Sequence, residues 1–166
     1  MSTATVSTLH TSWHHDDYDI AKDQIRQQLG NLDDLEIFGR QVCVACYIRP
    51  NVTKAGWYVT INQQMEDVWQ GKAVLIVKCG PDAFTGDVAY LEAMFGRGGP
   101  PRVGDWVFMR SADGLQVSLC GEGAARVQGK DGAGRAVDVY AWDGWNCRIV
   151  GDEQILGRIN NPHVIV

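Results

Sequence analysis

Four clusters in this sequence hold residue types able to do chemistry. Cys43-x-x-Cys46 offers two thiols at the spacing of half a zinc site or of a redox pair. No second ligand pair stands at suitable spacing, and on a strand positions three apart point to opposite faces, so both cysteines read as small apolar fillers. His10, His14 and His15 beside Asp16 and Asp17 could hold a metal ion, although tails of this composition are usually solvated. Gly96-x-Gly98-Gly99 resembles a phosphate cradle, but Pro100-Pro101 follows where a helix should start, which leaves a loop shaped by its glycines. Asn51-Val52-Thr53 matches a glycosylation acceptor and needs a secretory signal to matter.

Catalytic constellations are absent: there is no Gly-x-Ser-x-Gly elbow, no His-Glu-x-x-His and no P-loop. Carboxylates such as Asp82, Asp105, Asp113 and Asp152 sit in turn-like contexts, where Asp accepts from nearby backbone N–H groups. The expectation is a protein without catalytic residues, metal or cofactor. Gly56-Trp57-Tyr58-Val59 is left over: two aromatics and a β-branched residue on an otherwise polar segment. It reads either as a barrel strand or as an exposed loop that folds onto a partner.

Something must position that segment. The 166 residues are 45% apolar and 21% charged, enough for one domain with its own core and without a run long enough to span a membrane. Five scattered cysteines without a signal peptide predict a reducing, cytoplasmic setting. A net charge of −5 and a pI near 5.2 argue against general nucleic-acid binding.

Residues 1 to about 15 are Ser/Thr-rich and predict an arm that docks only where a partner supplies surface. From Asp16 to Leu29, Ala21, Ile25 and Leu29 recur on one face before Gly30, which predicts a short amphipathic helix. Its stripe is narrow, so it must lie on this chain's own barrel or on a neighbouring subunit. The rest reads as short strands: Glu36 to Ile48 as a half-buried strand, then Lys72 to Lys78, Trp106 to Met109, Leu115 to Leu119, Cys147 to Val150 and Ile155 to Ile159. Between them, 82–102 is an irregular excursion with a short helical turn from Asp87 to Met94, and 121–146 is an extra hairpin.

The order of segments resembles the GroES-type co-chaperonins. The matching pieces are Gly39-Arg40-Gln41-Val42-Cys43-Val44, then Thr53-Lys54-Ala55-Gly56 before Trp57-Tyr58-Val59, and Gln70-Gly71-Lys72 to Gly80. Val103-Gly104-Asp105-Trp106-Val107 and the closing Cys147-Arg148-Ile149-Val150 with Asp152-Glu153-Gln154-Ile155 complete the set. The helix-bearing extension and the Cys-Arg-Ile-Val closure are similar to divergent members from bacteriophages and prophages. The resemblance implies a mainly β fold, a GroES-like small β-barrel over 36–160, with an N-terminal arm and helix over 1–35, an inserted hairpin at about 121–146 and a tail over 161–166. It departs from the family in its aromatic tripeptide, its short dome-like loop (Phe95 to Arg102) and the extra hairpin.

The resemblance also implies a homo-oligomeric ring that caps a chaperonin through Gly56, Trp57, Tyr58 and Val59, with neither nucleic acid nor membrane as partner. Burying the three side chains is worth at most roughly 10 to 12 kcal/mol, whereas ordering some ten loop residues costs about 10 to 20 kcal/mol. One loop is marginal, and several presented together gain ~10² to 10⁴ in avidity. The alternative is a virion structural protein, a capsid decoration or connector subunit with capsid proteins as partners, built on the same barrel.

Overall fold

The computed structural model describes residues 18–49, 60, 62–63, 66–67, 71–124, 128–130, 136–138 and 145–162. The arm, its histidines, the glycosylation pattern and Gly56 to Val59 lie outside the described residues.

The first element, α1 (Tyr18–Leu29), buries Ala21, Ile25 and Leu29, the four-residue repeat of its sequence. Gly30 ends it at φ +69°, donating to the Arg26 carbonyl at 3.1 Å. A Cβ there would press on the backbone of residues 121–124, so only glycine lets that strap approach.

Six strands form one antiparallel sheet: β1 (Gln41–Cys46), β2 (Ala73–Cys79), β3 (Trp106–Phe108), β4 (Leu115–Leu119), β7 (Trp145–Gly151) and β8 (Gly157–Ile159). Their spatial order is β4-β7-β1-β2-β3-β8. Two further strands, β5 (Gln128–Lys130) and β6 (Ala136–Asp138), pair separately within the 121–146 region. A second helix, α2 (Val88–Phe95), follows β2. None of the described helices is long and apolar enough to cross a membrane.

The chain is therefore mainly β, but the sheet does not close: β4 and β8 are its two edges and do not pair with each other. The strand pattern predicts a small β-barrel or a partly closed sheet, and the open sheet corrects the GroES-like barrel, in which the interior would be one shared core. Here each face of the sheet has its own cover, which removes the need for closure. On one face Cys43, Ala45, Leu75, Trp106 and Cys147 pack beneath α1. The helix thus lies on its own subunit, which settles the choice its narrow stripe left open. On the other face Val42, Val44, Val74, Ile76 and Val107 pack beneath Phe84, Phe95, Met109 and Ile155. β1 is consequently buried on both sides rather than half-buried as its alternation suggests. The β1–β2 register slips between Cys43 and Val44, and Val42 still faces Cys79 while Val44 faces Ile76, so apolar pairs persist through the irregularity.

Cys43 and Cys46 fall on opposite faces of β1. Cys43 packs under α1, and the Cys46 thiol feels the charge of Arg148. Gly96 to Gly98 form a single 3₁₀ turn after α2, with Gly96 at φ +66° and Gly99 at φ +69°.

Candidate functional site

β1 and β2 are hydrogen-bonded neighbours, yet the connection between them is residues 47–72, where a tight hairpin needs two to five or so. Backbone bonds fasten its base: the Tyr47 N–H donates to the Ala73 carbonyl at 3.0 Å and the Gly71 N–H to the Asp67 carbonyl at 3.0 Å. Side chains close it further in. Arg49 Nε donates to Asp67 Oδ2 at 2.8 Å and Oδ1 at 3.1 Å, and the Arg49 N–H donates to Oδ2 at 2.9 Å. Arg49 Nη2 reaches the Gln63 carbonyl at 3.3 Å. Thr60 and Gln63 cap each other, with the Thr60 N–H on Gln63 Oε1 at 2.9 Å and the Gln63 N–H on Thr60 Oγ1 at 3.2 Å. Between Arg49 and Thr60 lie the sequence-predicted Gly56, Trp57, Tyr58 and Val59, outside the described residues.

Electrostatics at this neck are uneven. Burial raises the Asp67 carboxyl and outweighs the stabilising bonds from Arg49. Nearby on β7, Arg148 is wholly buried, and its Nε, Nη1 and Nη2 have no hydrogen-bond partner among the described residues. Its cross-strand neighbours are Val44 and Gln116. Cys46 lies close enough to respond to both Arg148 and Asp67, and burial pushes its thiol up to about 11 in spite of the guanidinium. A neutral thiol is a poor counter-charge.

The opposite end of the β1–β2 pair carries different chemistry. There Arg40 reaches Asp152, Nη2 lying 3.0 Å from Oδ2, and the buried Phe84 N–H donates to the same oxygen at 3.0 Å. Burial pushes the Asp152 carboxyl up, but the Phe84 N–H and the Arg40 guanidinium together hold it below its ordinary value. This lock fastens the chain as it leaves β2 for α2.

The helix itself is sharply bounded. Asp87 caps it by accepting the Tyr90 N–H at 2.7 Å, and the Gly96 N–H returns to the Glu92 carbonyl. A Cβ at Gly86 would collide with the Tyr90 ring. Of its eight residues only Glu92 is charged, and none is buried: Val88 is 73% exposed and Met94 59%. Phe95 alone turns back strongly, meeting Phe84 edge to face with centroids 5.8 Å apart. On one side of α2 lies a cavity of about 600 Å³ bounded by Val88, Leu91, Glu92, Gly96, Arg97 and Gly99. On the other lies one of about 340 Å³ whose walls include Arg40, Phe84, Tyr90, Met94 and Glu153.

Sequence reading places a helical turn at 87–94 but misses its exposure. The local pattern carries no signal of that exposure, since a mostly apolar helix ordinarily reads as interior. Arg148 is visible only as a lone charge inside an apolar strand. Among the described residues no group of three or more His, Cys, Asp or Glu side chains could hold a metal ion. No protein-family model matches this chain, and no curated protein sequence matches it.

Proposed function

We propose that this chain is a co-chaperonin-like protein of phage or prophage type, built on a divergent GroES-like β scaffold, which assembles as a ring and caps a chaperonin in the host cytoplasm. The observation that carries this reading is the neck: two adjacent strands joined through residues 47–72, fastened by Arg49 and Asp67, with Trp57-Tyr58-Val59 beyond the fastening. Adjacent antiparallel strands need no such length for pairing, and long ordered-ended connections are a place where proteins carry binding function.

Several placements agree with the family's segment order. Arg40 stands immediately before β1, Val103-Gly104-Asp105 turns into β3, and Cys147 to Val150 lie on β7 beside β1. In this reading Gly56 gives the approach, Trp57, Tyr58 and Val59 enter an apolar groove on the chaperonin, and nucleotide hydrolysis belongs to the partner. The chain needs no active site. Each hook binds weakly, so the ring's multiplicity supplies the affinity and still permits release.

Electron microscopy of the purified protein with a GroEL-like chaperonin and nucleotide tests it. Capped cylinders are expected with the native chain and none with the W57A/Y58A/V59A triple variant at unchanged oligomeric mass. Capping by the triple variant, or none by the native chain, sinks the reading.

A further inference from the structure

We propose that Arg148 is the centre of a buried binding site for a small monovalent anion of the halide class, set between β7 and β1 near the end of the sheet from which the 47–72 connection leaves. Its side chain is wholly buried, and Nε, Nη1 and Nη2 are all without a hydrogen-bond partner among the described residues. A guanidinium keeps its charge in a protein and carries five N–H donors. Burying a lone charge is among the most costly arrangements a fold can hold, so native structures pair such groups and hydrogen-bond them. An acceptor with one negative charge removes that deficit.

The strand register fixes which groups lie around the guanidinium. Directly opposite Arg148 stand Val44 on β1 and Gln116 on β4, so the three side chains share one face of the sheet. Val42 and Val150 are the next such pair on that face, and both belong to its apolar core. Cys46, two residues beyond Val44, points the same way and is the thiol that feels the Arg148 charge. Asp67, whose charge also reaches Cys46, gives both its oxygens to Arg49. Asp152 is held by Arg40 and the Phe84 N–H at the opposite end of β1. Nor does Cys46 supply an anion, because burial pushes its thiol up to about 11 and keeps it protonated. The described residues therefore bring donors to this point and no counter-charge.

Charge and walls select the class of anion. One guanidinium balances one negative charge, whereas sulfate or phosphate would bring a second charge and several oxygens that Val42, Val44 and Val150 cannot satisfy. A halide accepts from any direction and needs only the guanidinium N–H groups and the weak Cys46 S–H donor. A water molecule would bond to the same nitrogens and leave the buried charge uncompensated. Bound here, the anion ties β7 to the end of β1 just before Tyr47 and Arg49, which fasten the neck. The inference holds whether or not the chain caps a chaperonin.

Urea unfolding at constant ionic strength, with sodium gluconate replaced stepwise by sodium chloride or bromide, compares the native chain with R148M. The native folded-to-unfolded ratio should rise with free halide, by about a hundredfold once halide stands at a hundred times its dissociation constant. R148M should show only the general response to salt. It should be the more stable of the two in gluconate, and the gap should close as chloride replaces gluconate. Sulfate should act on native chain and R148M alike. A second readout needs no variant to fold: crystals of native chain refolded in bromide should show an anomalous bromide peak within hydrogen-bond reach of the Arg148 guanidinium. A native halide response no larger than that of R148M, or bromide found only at surface positions while Arg148 meets water alone, overturns the proposal. If R148M does not fold, the bromide position decides.

Discussion

Arg49 and Asp67 meet across the neck of the β1–β2 connection, with the guanidinium Nε 2.8 Å and the Arg49 backbone N–H 2.9 Å from one carboxylate oxygen. A single side chain therefore holds both the main chain and the side chain of the opposite limb. Asp67→Ala should lower the free energy of unfolding by about 1.5 to 3 kcal/mol, the range for hydrogen bonds to a charged group. It should also weaken capping while leaving residues 57 to 59 intact, because a looser base enlarges the entropy lost on docking. Urea unfolding and capping titrations check the two effects; full capping strength with reduced stability would separate the neck from function.

The half-buried Asp67 and the buried Asp152 carboxyls are shifted in opposite directions. Burial lifts Asp67 above the usual carboxylate value near 3.9, so its contribution favours the folded chain below the unfolded pKa and is lost as pH rises through its folded one. Asp152 is depressed on balance, so its stabilisation is present above the unfolded pKa and lost as pH falls through its folded value. On acidification Asp67 should therefore take up its proton before Asp152 does, and only the protonation of Asp152 should cost stability. Carboxyl-carbon NMR titration reads the order directly, and Asp152 protonating first would be the wrong outcome.

Arg148 is a charge placed in the interior without an acceptor among the described residues. Replacing buried charges by apolar groups of similar volume is often neutral or stabilising by about 1 to 4 kcal/mol. Arg148→Met should therefore raise the unfolding midpoint in denaturant. A loss of stability would mean that the guanidinium is paid back by a contact beyond those described.

Thiol chemistry should be confined to the surface. Cys120 is exposed, whereas Cys43, Cys46 and Cys147 are buried and burial raises the Cys46 thiol to about 11. Hydrogen bonding to Cys43, together with burial, pushes Cys147 up as well. A thiol reagent at neutral pH should label Cys120 promptly and the three buried cysteines only on unfolding. Prompt labelling of Cys43 or Cys46 would revive a redox role for that pair.

Much of the strand pattern was readable along the chain. Leu115 to Leu119 is a strand with the expected bounds, and Lys72 to Lys78 appears one residue displaced as β2. Alternation, Gly and Pro stops and the Ala21-Ile25-Leu29 repeat are short-range signals, set by side-chain direction within a few residues. The end of β7 was harder. It begins at Trp145, whose indole N–H donates to the Cys46 carbonyl at 2.7 Å, a bond between residues distant in sequence.

What the residues determined by themselves is where chain direction and local conformation change: a helix that stops at Gly30, apolar strands between turns, and a short helical turn from Asp87 to Met94. Only the tertiary structure decided which surfaces are covered. It buried both faces of β1, placed β4 and β8 outermost in the sheet, joined Arg49 to Asp67 and left no residue of α2 buried among the described residues. Coverage depends on partners brought together from far along the chain, and neither an isolated helix pattern nor an isolated strand pattern encodes what will lie against it.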